Sequence, residues 1–135
     1  MALQSYRDLE AWQQAMQTVE EIYCLTKMMP KEEQFGLISQ MRRAATSVPA
    51  NIAEGYGRLH RKEYLHHLSI ARGSLMELET HLLICLRLNY LEREQSKPAW
   101  EAMQQAGKLL GGLIRSLSSD SIREKPEQYL AEPNP

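Results

Sequence analysis

Apolar and small residues recur at Leu9, Trp12, Met16, Val19, Tyr23 and Thr26, in alternating steps of three and four that gather them on one side of a helix. Ala15, Ile22 and Leu25 widen that stripe. Asp8 stands where an N-cap is expected, and Met28, Met29 and Pro30 mark the stop. A second stripe, beginning near residues 31–34, sets Leu37 or Ile38, Met41, Ala45, Val48, Ile52 and Tyr56 on one face. Pro49 interrupts it. Proline lacks the amide hydrogen and clashes with the carbonyl four residues back, which predicts a kink or a restarted helix at 47–49. Gly55 and Gly57 then close the helix, since glycine accepts the left-handed conformation of a C-terminal cap.

From about Arg61 a third stripe repeats Tyr64, Leu68, Ala71, Leu75, Leu78, Leu82 and Cys85 or Leu86, the longest unbroken one in the chain. A fourth starts at about Gln95 or Pro98 and runs through Trp100, Met103, Gly107, Leu110, Ile114 and Leu117. Gly111 and Gly112 weaken it locally, by roughly 1 kcal/mol each relative to alanine, and also permit a close helix contact. Four rods of ~30 to 40 Å, joined by short connections, form antiparallel neighbours. The expected fold is all-α, an antiparallel up-down-up-down four-helix bundle over residues 1–118. The remainder, 119–135, holds Pro126, Pro133 and Pro135 among mostly polar neighbours and is expected to be a mobile C-terminal tail.

Composition agrees with that class. The 135 residues are 43% apolar and 24% charged, enough for one core. The few aromatics, seven methionines and scattered β-branched residues suit helices better than sheets. Cys24 and Cys85 stand alone in apolar helical surroundings without CxxC spacing, so both are expected as buried thiols in a reducing compartment. No signal-peptide pattern opens the chain, and no stretch approaches the ~18 apolar residues of a membrane span. The expected location is the cytoplasm.

The formal net charge is −1, so its distribution carries more information than its sum. Residues 1–41 hold three basic and six acidic groups, 42–72 six and two, and 73–135 seven and nine. The middle of the chain is locally basic. Arg42 and Arg43 lie on the second helix, Arg58, His60, Arg61 and Lys62 around the connection GYGRLHRKEY, and Arg72 on the third helix. Glycines, cations and helix-start amides together favour phosphate. Tyr56 and Tyr64 flank the connection, positioned either to stack on bases or to fill the core. The alternative is an ordinary solvated loop.

On the second helix Arg43, Ser47, Asn51 and Glu54 fall within about 80° of one another, opposite Met41, Ala45, Val48 and Ile52. They form either a solvated or interface face, or a site in which Arg43 and Glu54 orient a ligand. Glu79 falls near the edge of the third helix's apolar face, where an unpaired carboxylate costs several kcal/mol or protonates. A structural ion pair with Arg42, Arg43 or Arg72 is expected there. A carboxylate-bridged di-metal centre needs two inward Glu-x-x-His elements, and the single such string, Glu63 to His66, points away from the core stripe. His66 and His67 project about 100° apart, and His60 and His81 lie elsewhere. GYGRLH lacks the third glycine of a dinucleotide loop. The expectation is no enzyme, no metal and no cofactor.

DLEAWQQAMQ near the start, the block QFGLISQMRRAATSVPANIAEGYGR and the segment ARGSLMELETHL resemble the 23S rRNA-intervening-sequence protein family, also called the four helix bundle protein family. The resemblance covers roughly residues 6–91, and SVPANIAEG is its most specific part. It implies a bacterial four-helix bundle, often assembled as a homopentameric ring. Some members are encoded in insertions within 23S rRNA genes, and the family is similar to a basic pentameric accessory protein of diversity-generating retroelements that binds nucleic acid. Five copies of a six-cation patch place about thirty cations around one axis, where each neutralised phosphate steepens the salt dependence of binding. The function expected from all this is a non-enzymatic, oligomeric bundle binding RNA or a ribosome-related ribonucleoprotein through residues 42–72. The alternative is a protein-interaction scaffold with no nucleic-acid role.

Overall fold

The computed structural model describes residues 3–124, of which 120–124 are described as backbone only. Four helices carry the chain: α1 (Glu10–Thr26), α2 (Leu37–Tyr56), α3 (Arg61–Arg87) and α4 (Arg93–Glu124), with single 3-10 turns at Tyr6–Asp8 and Lys31–Glu33. Among the described residues there is no strand. Each helix packs on its two neighbours in the cycle α1, α2, α3, α4.

Cross-helix contacts fix the directions. Thr26 at the end of α1 meets Arg42 near the start of α2. Cys85 near the end of α3 meets Met41 of α2, and Gln95 near the start of α4 meets Met28 just after α1. At the other end Asn51 of α2 meets His67 of α3. The helices therefore alternate in direction around a shared core, as short connections require.

That core is filled by Ile22, Met41, Val48, Ile52, Leu68, Leu75, Leu78, Leu82, Met103 and Leu110, all nearly or fully excluded from water. Each such side chain contributes about 1.5–3 kcal/mol of burial. The α3 stripe is buried as its spacing predicts. On α1 the expected Ala15, Ile22, Leu25 and Thr26 are buried together with Ala11 and Thr18, so the buried face centres on the widening positions of the stripe. Alanine lets α1 lie close to both α2 and α4, while Met16 and Tyr23 stand 37% and 38% exposed on the rim. Trp12 packs edge-on against Tyr6, with ring centroids 5.4 Å apart.

Helix boundaries depart from expectation for local reasons. Asp8 does not cap α1; it forms a capping box with Ser5 one turn earlier, and Leu9 in extended conformation separates that turn from α1. The second helix passes through Pro49 without a break, because the buried side chains of Val48, Pro49 and Ile52 hold both flanks on the core. Gly57 ends α2 at φ −79°, so no left-handed glycine closes it. The left-handed position is Asn89 (φ 62°), just past α3, where Tyr90 N–H donates to Cys85 C=O at 2.9 Å and Leu88 N–H to Ile84 C=O at 2.9 Å.

Pro98 lies inside α4, one turn past its start at Arg93. A Cβ on Gly107 would sit 3.3 Å from Leu75 Cδ2, so the close α3–α4 approach is at Gly107, whereas Gly111 and Gly112 face only Arg115 of their own helix. The helix continues to Glu124, past the boundary expected at Ser119; the rest of the expected mobile tail, 125–135, lies outside the described residues. No described helix is long and apolar enough to cross a membrane. Cys85 is buried against the sulfurs of Met41 and Met29, but Cys24 is exposed, which corrects the expectation of two buried thiols.

Candidate nucleic-acid interface

Residues 42–72 span α2, the connection and the first half of α3, and the structure divides their basic groups into two sets. Arg42 and Arg43 lie in the N-terminal half of α2, whereas Arg58, His60, Arg61 and Lys62 lie beyond its C-terminus, ~24 Å away at 1.5 Å per helical residue.

At the connection Arg58 is a brace. Its guanidinium reaches Glu54 at 2.8 Å and Glu63 at 3.8 Å, tying the end of α2 to the start of α3 and cancelling much of the local positive charge. His60 occupies the N-cap position of α3, exposed and extended and without a side-chain capping bond, and Lys62 is exposed beside it. Leu59 is 94% exposed. Tyr56 and Tyr64 do not offer faces for bases: they pack edge-to-face, 6.1 Å apart, against the core. Burial, and then the neighbouring Tyr56, push the Tyr64 hydroxyl up to about 12.

The polar stripe of α2 turns toward α3. Ser47 Oγ shares a 2.8 Å hydrogen bond with Ser74 Oγ. Asn51 Nδ2 donates to Ser47 C=O and Oγ at 2.9 and 3.0 Å, which leaves Asn51 Oδ1 as an acceptor. His67 Nδ1, 3.1 Å from that oxygen, therefore carries the proton and donates. Glu54 Oε2 lies 4.0 Å from the same nitrogen. The network runs from Ser74 through Ser47, Asn51, His67 and Glu54 to Arg58. Helices α2 and α3 approach closely at Gly55, where a Cβ would lie 2.9 Å from His67 Cβ and 3.1 Å from Tyr64 C=O.

Arg43 is not part of this seam. It is exposed and lines an open groove of about 400 Å³ at the α1–α2 corner, together with Arg42, Tyr23, Phe35 and Ser39. Arg42 donates from Nε to Thr26 Oγ1 at 2.9 Å, and its guanidinium lies 4.4 Å from the centre of the Tyr23 ring. Arg72 is exposed on α3. Glu79 is half-buried and, among the described residues, has no ion-pair partner, so the expected structural pair with Arg42, Arg43 or Arg72 is absent.

Glu63 and His66 are both exposed. No group of three or more His, Cys, Asp or Glu able to hold a metal occurs among the described residues. His81 takes the Glu77 carboxylate at 3.3 Å, and its Nδ1 is buried without a partner. Sequence reading weighed His67 only as a poor metal-ligand pair with His66, and singled out neither Ser74 nor Phe35. One signal pointed to His67 and Ser74: His60, His67, Ser74 and His81 recur every seven residues, a polar column at the edge of the α3 stripe. Nothing in the local pattern marked Phe35.

A family model for the 23S rRNA-intervening sequence protein matches residues 7–112. The chain belongs to that family. The match takes in α1, α2, α3 and the first part of α4, and so contains both basic sets and the seam. A crystal structure of a protein of unknown function from the S23 ribosomal protein family of Bacteroides thetaiotaomicron is similar, with 27% identity and a TM-score of 0.71, over 77% of this chain and 97% of that one. No curated protein matches the chain.

Proposed function

We propose that the protein is a non-enzymatic, cytoplasmic RNA-binding bundle that acts as a homopentamer and engages structured RNA through the basic surface of α2 and α3. The observation that carries this is the series of exposed basic side chains spread along one locked helix pair. Arg43, Lys62 and Arg72 are exposed on two helices that the seam and the Gly55 approach hold together, with His60 exposed at the start of the second. Cations on a preorganised surface lose little entropy when they meet phosphate. The family's name refers to 23S rRNA intervening sequences, which makes RNA the polyanion to test first. Because Arg58 is neutralised by Glu54 and Glu63, a single chain carries a modest patch, and repetition around a ring supplies the rest of the charge.

Fluorescence anisotropy with a structured RNA tests the reading. The substitutions Arg43→Glu, Lys62→Glu and Arg72→Glu together should abolish binding while circular dichroism retains full helicity. Light scattering should give a mass of about 78 kDa, five times the 15.6 kDa chain.

The second reading, a protein-interaction scaffold, draws on an open groove of about 430 Å³ between α3 and α4, where Leu83, Leu86 and Trp100 meet Arg93, Glu94 and Lys97. Failure of the wild-type oligomer to bind RNA even at low salt would favour it.

A further inference from the structure

The groove at the α1–α2 corner has features that a general phosphate-binding surface does not need. Phe35, the single phenylalanine of the chain, is 90% exposed at its edge. Its ring is left almost wholly open to a ligand. Beside it, Arg42 is held in place by the Thr26 hydrogen bond and by the Tyr23 ring, and its two terminal amino groups have no partner among the described residues. Arg43 is likewise without an ion pair among the described residues. None of the residues lining the groove is acidic. Glu33, the nearest carboxylate before it in the chain, is engaged elsewhere: Oε1 accepts from Leu37 N–H at 3.1 Å and Oε2 from Tyr90 O–H at 3.1 Å. The first amide of α2 is thereby taken by Glu33, and the positive charge in the groove is that of the two arginines.

We infer that this groove receives one unpaired nucleotide of an RNA chain, its base stacked on Phe35 and its phosphate held by Arg42 and Arg43. The inference rests on the RNA reading above and adds a preference for single-stranded or looped-out segments. An exposed aromatic face accepts any base, while Gln34 and Ser39 in the groove offer donors and acceptors to its edge. The volume of about 400 Å³ falls in the range of small-ligand sites and suits a single nucleotide. The two arginines, with no acidic residue among the lining, match a phosphate, and a second copy of the chain is the competing occupant that the oligomer mass tests.

The full-length protein, titrated with a labelled RNA hairpin bearing a single-stranded loop and with the same stem closed as a blunt duplex, separates the possibilities. Phe35→Ala should weaken hairpin binding by about fivefold or more and leave duplex binding unchanged. Phe35→Trp should retain hairpin binding and show tryptophan quenching when the hairpin is added. Equal effects of Phe35→Ala on both probes, or none on either, would overturn the groove assignment and leave the RNA reading intact. A fall in oligomer mass on Phe35→Ala would overturn it in favour of a second copy. Wild-type protein that binds neither probe would end both.

Discussion

Asn51 on α2 and His67 on α3 face each other across the helix pair, with Asn51 Oδ1 accepting from His67 Nδ1 at 3.1 Å. The contact is central to the seam because Asn51 also donates twice to Ser47, so one amide joins both ends of the network. Half-buried polar groups in a chain of this kind stabilise only when each has its partner. Asn51→Leu strands the His67 proton and the Ser47 oxygens, and should cost about 1–3 kcal/mol. A lowered midpoint in urea unfolding at pH 7, with the slope unchanged, is the expected result.

Gly55 sets the distance between the same two helices. A methyl there would press on His67 Cβ and on the Tyr64 backbone, neither of which is the free end of a flexible side chain. Gly55→Ala should therefore destabilise the fold by about 1–3 kcal/mol. Gly73, with nothing within 4 Å of its would-be Cβ, is the control. Gly73→Ala should stabilise by about 0.5–1 kcal/mol through helix propensity alone. Thermal unfolding of the two variants should move in opposite directions.

Alkaline pH should weaken the protein in a defined window. Burial, aided by Glu33, pushes the Cys85 thiol from its ordinary 9.0 up to about 11, and burial with Tyr56 raises Tyr64 from 10.0 to about 12. Both folded-state values lie above the unfolded ones, so the unfolded chain loses its protons first. The stabilisation is complete below about pH 9 and drains away as pH rises through 11 and 12. Urea midpoints should be flat from pH 7 to about 9 and then fall, and Cys85→Ala should delay the onset of the fall. In a thiol titration of the native protein, exposed Cys24 should react at once and Cys85 only on unfolding.

The four helices and the buried α3 face were legible in the sequence because leucine repeats at helical spacing leave one face to bury. On α1 the buried face was legible at Ala15, Ile22, Leu25 and Thr26 but not at Ala11 and Thr18, because the larger Met16 and Tyr23 drew the stripe toward the rim; close packing between two neighbours selects small side chains, and Thr18 and Thr26 satisfy their hydroxyls on their own helix's carbonyls. The basic stretch was visible as composition. Its division was not: Arg58 answering Glu54 is an i,i+4 pair readable from spacing, whereas Arg42 reaching Thr26 depends on how α1 and α2 meet. The α2 polar stripe was recognised as one surface, but its orientation toward α3 follows from the bundle's cycle and from Gly55, which spacing alone does not reveal.

The account stands most directly on the salt dependence of RNA binding by the intact oligomer. Log K for a structured RNA, measured against log salt concentration, should fall along a line whose slope gives about 0.7–0.9 per phosphate contact. Reversal of Arg43, Lys62 and Arg72 should flatten that line. A wild-type affinity that is absent at low salt, or one that does not change as salt is raised, would contradict the assignment.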